Sequence, residues 1–476
     1  MSLTPQFFDV TRGQRVLVIE PFYWTPHLET GLEIAELLSE HNDVTYVGPD
    51  ALRCATDETI LLRSRIRIPL TRKGRASRYA GPKVRTYSRR EIATMEDQLA
   101  LPDADFIDPA APDLQELKFE NFDVGMGVVS SLISLTRNVH FDRTRYAKAA
   151  VALGQDAIKI YRLTQYLVRA NKSDVVIFFN GRVASTRAIR RACESLGVRY
   201  IVHERGSCQG KYALFDGATP HQPTGIRRWA DEWWAFDDDA EAKGRAFFAR
   251  RRRNLATSWY SFTGKQEAGH FPPRGECTRV TFFTSSDDEL IAIGDELRPD
   301  SPFCEQAYAI RSVGQACRDR GYEFVVRFHP NTPPKQNDLL AAAREFATIC
   351  IEPTSQVDTY GLMDSSDIVF TQNSTAGLEA AAAGKPVYYT GRSVFELCRS
   401  VGRIKTDEDL RKALSSPRTA NPLDAYRYGN FFGEHGIVYR LYRPRGFLSG
   451  TFHGRDLNAP LSKIRDMVLR IKRGGT

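Results

Sequence analysis

Short apolar runs recur along the chain, and most of them stop at a cluster of small polar or charged residues. RVLVIE (Arg15–Glu20), VTYV (Val44–Val47), VVIFF (Val175–Phe179) and RYIV (Arg199–Val202) lie in the first half. VTFF (Val280–Phe283), EFVVRF (Glu323–Phe328), ICI (Ile349–Ile351), DIVF (Asp367–Phe370) and VYY (Val387–Tyr389) lie in the second. The runs are continuous rather than alternating, which predicts strands covered on both faces, as in a parallel sheet. Helical patterns separate them: Gly31–Glu40, Tyr146–Ala170, Ala184–Leu196, Glu305–Arg320, Gln336–Ala347, Asp358–Ser365 and the Ala-rich stretch after Gln372–Thr375.

Strands alternating with helices predict βαβ units. The expected fold class is α/β, with two Rossmann-like lobes and a cleft between them. An N-terminal lobe is expected over residues 1–265, with an irregular basic insertion at about 50–120. A C-terminal lobe is expected over 266–410, and a basic segment, 411–476, is expected to pack back on the lobes. Residues 231–275, mixed in charge and without a strand pattern, are expected to hold the connection.

In open parallel sheets, ligands bind beyond the carboxyl ends of the strands. Five polar clusters fall at such ends: Asn180-Gly181-Arg182, His203 to Ser207, Thr284 to Glu289, Arg327 to Pro330, and Gln372 to Thr375. Asn373-Ser374-Thr375 opens a helix. It can serve as an ordinary cap, or it can join the helix N–H groups in holding a phosphate. His329-Pro330 ends a strand, where an imidazole can donate to a phosphate. Glu379 is a surface glutamate or an acceptor for ribose hydroxyls. Ser286 with Asp287, Asp288 and Glu289 places acids either in a helix's first turn or as a nucleophile or base. Glu204, beside Arg205, is a local ion-pair partner or a general acid/base; two carboxylates suit glycosyl chemistry. Asp237-Asp238-Asp239 is read as a helix start rather than a metal site. Gly125-Met-Gly127 lacks the dinucleotide fingerprint, and no His/Cys group has metal spacing.

Composition narrows the class. The 476 residues are 42% hydrophobic and 26% charged, as in globular proteins of two or three domains. The longest uncharged run, Val124–Thr136, is too short to span a bilayer. Eight scattered cysteines without a CxxC pair point to free thiols in a reducing compartment, and a cytoplasmic protein is expected. Net charge is +8, concentrated in Thr59–Arg90, Arg250–Arg253 and the stretch after Val438. Such stretches are solvated faces or meet an anionic partner, such as a membrane surface or a phosphorylated substrate. No nucleic-acid-binding pattern is present, and no nucleic acid partner is expected.

The blocks FFTSSDDE, VRFHPN and VDTYGLMDSSDIVFTQNSTAGLEAAAAGKPV, preceded by FFNGR and VHERGS, resemble bacterial capsule-polysaccharide glycosyltransferases of the two-lobed GT-B fold. The resemblance spans roughly Val175 to Gly391 and is similar in particular to retaining Kdo transferases, which use CMP-Kdo. It implies that His329, Pro330, Arg327, Asn373, Ser374, Thr375, Glu379 and Ser286 hold the donor. It implies that Asp288 or Asp287 attacks the anomeric carbon and that Glu204 assists with a proton. Asn180, Arg182 and Arg205 fall on the acceptor side. The expected partners are a nucleotide-sugar donor and an anionic or lipid-linked glycan acceptor at the inner membrane face, with no metal or cofactor. A polyol-phosphate transferase, a sugar epimerase and a non-catalytic sugar-nucleotide-binding subunit are the alternatives.

Overall fold

The computed structural model describes residues 7–56, 71–103, 105–253, 255, 266–286, 288, 291–330, 332, 337–419 and 421–459. They form two compact units. In the first, six strands run β1 (Arg15–Ile19), β2 (Asp43–Val47), β3 (Arg85–Thr86), β4 (Val175–Phe179), β5 (Arg199–Arg205) and β6 (Lys211–Asp216). Their order is β3-β2-β1-β4-β5-β6, and Ile437–Val438 pairs on the outer side of β6. β3 through β5 are parallel. The crossovers run one way from β1 to β3 and the other way from β4 to β5, so the order reverses between β1 and β4. The residues of β4 and the last four of β1 are buried, as the continuous apolar runs require.

In the second unit, β7 (Arg279–Phe283), β8 (Glu323–Arg327), β9 (Ile349–Ile351), β10 (Ile368–Thr371), β11 (Val387–Tyr389) and β12 (Gly402–Arg403) are all parallel. Their order is β12-β11-β10-β7-β8-β9. This is the doubly wound Rossmann order, with its reversal between β7 and β10. Both units are therefore Rossmann-like.

The structure places the boundary differently from the sequence reading. The second unit is His221–His435, and Gly436 onward returns to the first. Helices Pro223–Ala235 and Ala240–Arg252 thus belong to the second unit rather than to an N-terminal lobe ending at 265. The reason is a close helix crossing: a Cβ on Gly244 would lie 2.1 Å from the Tyr426 carbonyl oxygen, on helix Pro422–Glu434. Mixed surface charge hid that contact. Residues 411–435 stay with the second unit, and the segment that packs back begins at 436. The expected insertion at 50–120 supplies β3 and the helix Arg89–Glu96, which carries a Ser88/Glu91 capping box. His203 to Arg205 also differ: they are the end of β5 rather than a loop, paired antiparallel with β6.

In the first unit, Asp123 ties down the helix Ala184–Leu196. Its carboxylate accepts from Arg187 Nε (2.9 Å), Arg191 Nε (2.7 Å) and Arg191 Nη2 (2.8 Å). Arg187 is fully buried, and the two guanidinium groups hold the Asp123 carboxyl far below the ordinary carboxylate range. Removing one member of such a buried group leaves uncompensated charge, at a cost of about 3–5 kcal/mol. Asp123→Ala should lower the unfolding free energy at neutral pH by about 3 kcal/mol, read from the denaturant midpoint. Because the native pKa is depressed, the difference between the two proteins should shrink as pH falls below the ordinary carboxylate value of about 4.

Candidate functional site

In the second unit, the ends of β7 and β10, the two strands at the reversal, are tied together by side chains. Thr371 Oγ1 donates to the Phe283 carbonyl (2.8 Å), and the Asn373 N–H donates to Ser285 Oγ (3.1 Å). Gln306 clamps Ser285 from the far side: its Oε1 accepts from the Ser285 N–H (2.9 Å), and its Nε2 donates to the Ser285 carbonyl (3.0 Å). β8 is held to the same edge, since the His329 N–H donates to Thr284 Oγ1 (2.8 Å). Thr284-Ser285, His329 and Thr371 to Asn373 thus meet at one place.

The helix Thr375–Ala382 starts there. Ser374 is its N-cap, accepting from the Ala376 N–H at 3.2 Å. An oxygen that accepts in this way keeps its O–H free to donate, so capping and anion binding do not compete at Ser374. Tyr389 Oη donates to the Ser374 carbonyl (3.0 Å), and a Cβ on Gly377 would come within 2.7 Å of the Tyr389 ring; only glycine lets the helix sit this close. Ser286 Oγ donates to Asp288, which is half-buried. Burial pushes the His329 pKa down; Asp288 opposes this and Arg327 adds to it. Arg327 is buried, its guanidinium spanning the Glu352 (2.9 Å) and Ser355 (3.2 Å) carbonyls, and burial lowers its pKa to about 10. It braces the strand end while adding positive potential beside His329.

Not every expected residue joins this group. Asp287 lies outside the described residues. Glu379 is not a surface residue: it is buried and ion-paired with Arg251. Pro330 follows His329 and is half-buried. Among the described residues, no group of three or more His, Cys, Asp or Glu could hold a metal ion. Asp239 is the N-cap residue of the helix Ala240–Arg252, and Asp237 pairs with Lys243.

In the first unit, the reversal between β1 and β4 is equally polar. Asn180, held at φ +57°, donates from Nδ2 to Glu204 Oε2 (2.7 Å), and the Arg205 N–H donates to Glu204 Oε1 (2.9 Å). Glu204 is thereby oriented from two elements. Arg182 reaches back to the Ser130 (3.3 Å) and Ser134 (3.0 Å) hydroxyls. The Arg205 guanidinium lies 4.0 Å from the Phe447 ring centre.

Sequence reading missed what stands beneath Glu204. Glu20, at the end of β1, and His203, on β5, are fully buried and lie 3.0 Å apart (Oε2 to Nε2). Burial raises the Glu20 carboxyl well above its ordinary value and lowers the His203 imidazole to about 4. His27 is also held neutral by burial, its ring 3.8 Å from that of Phe179; Phe22 packs edge-on against Phe179 and stacks on Trp24. The usable signal was Glu20 itself, an acid closing the buried run VLVI.

No family model matches the chain, and no curated protein matches it. Among solved structures, the KpsC β-Kdo 2,7-transferase of Thermosulfurimonas dismutans is similar at 14% identity over 56% of this chain and 79% of that one, with a TM-score of 0.34. The UDP-GlcNAc 2-epimerase of Neisseria meningitidis, bound to UDP-GlcNAc, is similar at 11% identity over 88% and 97%, with a TM-score of 0.28. The glycosyltransferase SnogD of Streptomyces nogalater is similar at 13% identity over 89% and 96%, with a TM-score of 0.27. The strand orders of the two sheets make both units Rossmann-like independently of these similarities.

The Glu20–His203 pair holds one proton between its two members. Unfolded, the two groups hold none once pH exceeds the ordinary histidine value of 6.5. The native state then carries an extra proton, so the pair's contribution to stability falls as pH rises above about 6.5. Glu20→Gln should flatten that fall, read as denaturant midpoints at about pH 6.5 and pH 9. An equal fall in variant and parent would contradict the shared proton.

Proposed function

We propose that the protein is a glycosyltransferase that moves a sugar from a nucleotide-sugar donor to a capsule, lipopolysaccharide or other surface-polysaccharide precursor, with CMP-Kdo as the donor. The observation that carries this reading is the convergence of Thr284-Ser285, His329 and Thr371 to Asn373 on the reversal between β7 and β10, where such sheets bind nucleotides. The second unit takes the donor. Its phosphate lies at the start of the helix Thr375–Ala382, where the N–H groups and dipole favour an anion, with the Ser374 and Thr375 hydroxyls and His329 as further donors. A neutral His329 still donates one N–H.

In this mechanism a carboxylate oxygen of Asp288 bonds to the anomeric carbon as the bond from that carbon to the phosphate oxygen breaks. The electron pair leaves with CMP, stabilised by donors already in place. The acceptor hydroxyl then displaces Asp288 from that carbon and gives its proton to a base, the role that the resemblance implies for Glu204. Two displacements retain the anomeric configuration. Asn180 and the Arg205 N–H both bond the Glu204 carboxylate and keep it oriented for this task.

The test is CMP release from CMP-Kdo together with product formation on a capsule or lipopolysaccharide precursor. Asp288→Asn should abolish transfer, and transfer that survives removes the nucleophile assignment. Glu204→Gln should lower the rate by about 10²–10⁴-fold, the range for a general acid/base. His329→Ala should weaken donor binding by about tenfold to a hundredfold, one hydrogen bond to a charged group; unchanged affinity would remove its phosphate role.

A further inference from the structure

After Val438 the chain forms a hairpin, Tyr442–Gly446 paired with Ser449–Phe452, which belongs to the first unit. Gly446 pairs with Ser449, so Phe447 and Leu448 are the two residues at the turn. Such turns favour Asn, Asp and Gly, and two large apolar residues there oppose the local rule. Departures of that kind concentrate at functional sites. Both residues are exposed, Phe447 to 42% and Leu448 to 58%.

Their surroundings are cationic. Arg440, Arg443, Arg445 and Arg455 are all exposed, and the stretch 438–455 contains no acidic residue. None of the four makes an ion pair with the described residues. Arg443 donates to the Tyr439 carbonyl (3.0 Å), and Glu33 attracts it without forming an ion pair. An apolar tip on a hairpin whose strand and flanks carry exposed arginines matches a bilayer surface of anionic lipid: the tip enters the acyl boundary while the arginines meet the phosphates. The Arg205–Phe447 contact joins the tip to the strand end that carries Glu204.

We propose that this hairpin is a membrane-docking element that inserts Phe447 and Leu448 into a surface rich in anionic phospholipid. It holds the chain where a lipid-linked acceptor is presented. The docking itself does not depend on the catalytic reading, because it needs neither donor nor transfer.

The experiment is co-sedimentation of the full chain with phosphatidylcholine vesicles containing phosphatidylglycerol, with pure phosphatidylcholine vesicles, and with heparin as a soluble polyanion. The parent should bind the anionic vesicles, less tightly as salt rises, and should not bind the neutral ones. Arg443→Gln/Arg445→Gln should weaken vesicle binding by about thirtyfold, two charges' worth at a membrane surface. Leu448→Ser, which keeps the Phe447–Arg205 contact, should weaken vesicle binding and leave heparin binding unchanged. Either variant binding vesicles as the parent does would overturn the proposal. So would heparin binding without vesicle binding, which would mark a polyanion site.

Discussion

A parallel sheet covered on both faces must reverse the sense of its crossovers somewhere, and at that point two neighbouring strand ends send their connections to opposite sides. The gap they leave is imposed by chain connectivity rather than by any one side chain. Both units have one, between β1 and β4 and between β7 and β10. The candidate donor-binding and acid–base groups are arranged around these two places. In the second unit the gap is lined by hydroxyls, an amide-clamped backbone and a helix start; in the first it is lined by carboxylates and imidazoles. The first set suits a phosphate and the second suits proton handling, and a transferase requires both.

The strength of each place lies in how little freedom its groups have. Ser285 is fixed by Gln306 and by Asn373, and Thr284 bonds the His329 backbone. Donors held in this way do not have to reorganise when charge develops on a leaving phosphate, which is where such sites gain rate. In the first unit the same economy applies to Glu204, held by Asn180 and by its own backbone neighbour. Behind it, Glu20 and His203 lie 3.0 Å apart in a site where burial makes either charge costly.

Much of this was legible in the sequence. The buried strands announced themselves as continuous apolar runs, and the polar residues that ended them marked the strand ends that meet at the reversals. What was not legible depended on contacts distant in sequence. The unit boundary follows from Gly244 meeting helix Pro422–Glu434, and no local pattern records that crossing. β6 (KYALFD) is short and partly charged, so β5 read as ending at Val202, and HERGS read as a loop instead of a hairpin arm. Glu379 is ion-paired with Arg251, a partner distant in sequence that periodicity does not give. The opening of helix Thr375–Ala382 posed a choice between cap and phosphate site that the sequence left open; the structure shows Ser374 as the cap, with its O–H still able to donate.

The most direct test of the central claim is the thermal stability of the purified chain in CMP, CDP, UDP and GDP. A ligand bound only by the native state at a hundred times its Kd adds about 2.7 kcal/mol of stability. The account predicts that CMP raises the melting temperature above the other three. If none of the four raises it, the β7/β10 edge does not hold a nucleotide, and the assignment of donor binding to the second unit is contradicted.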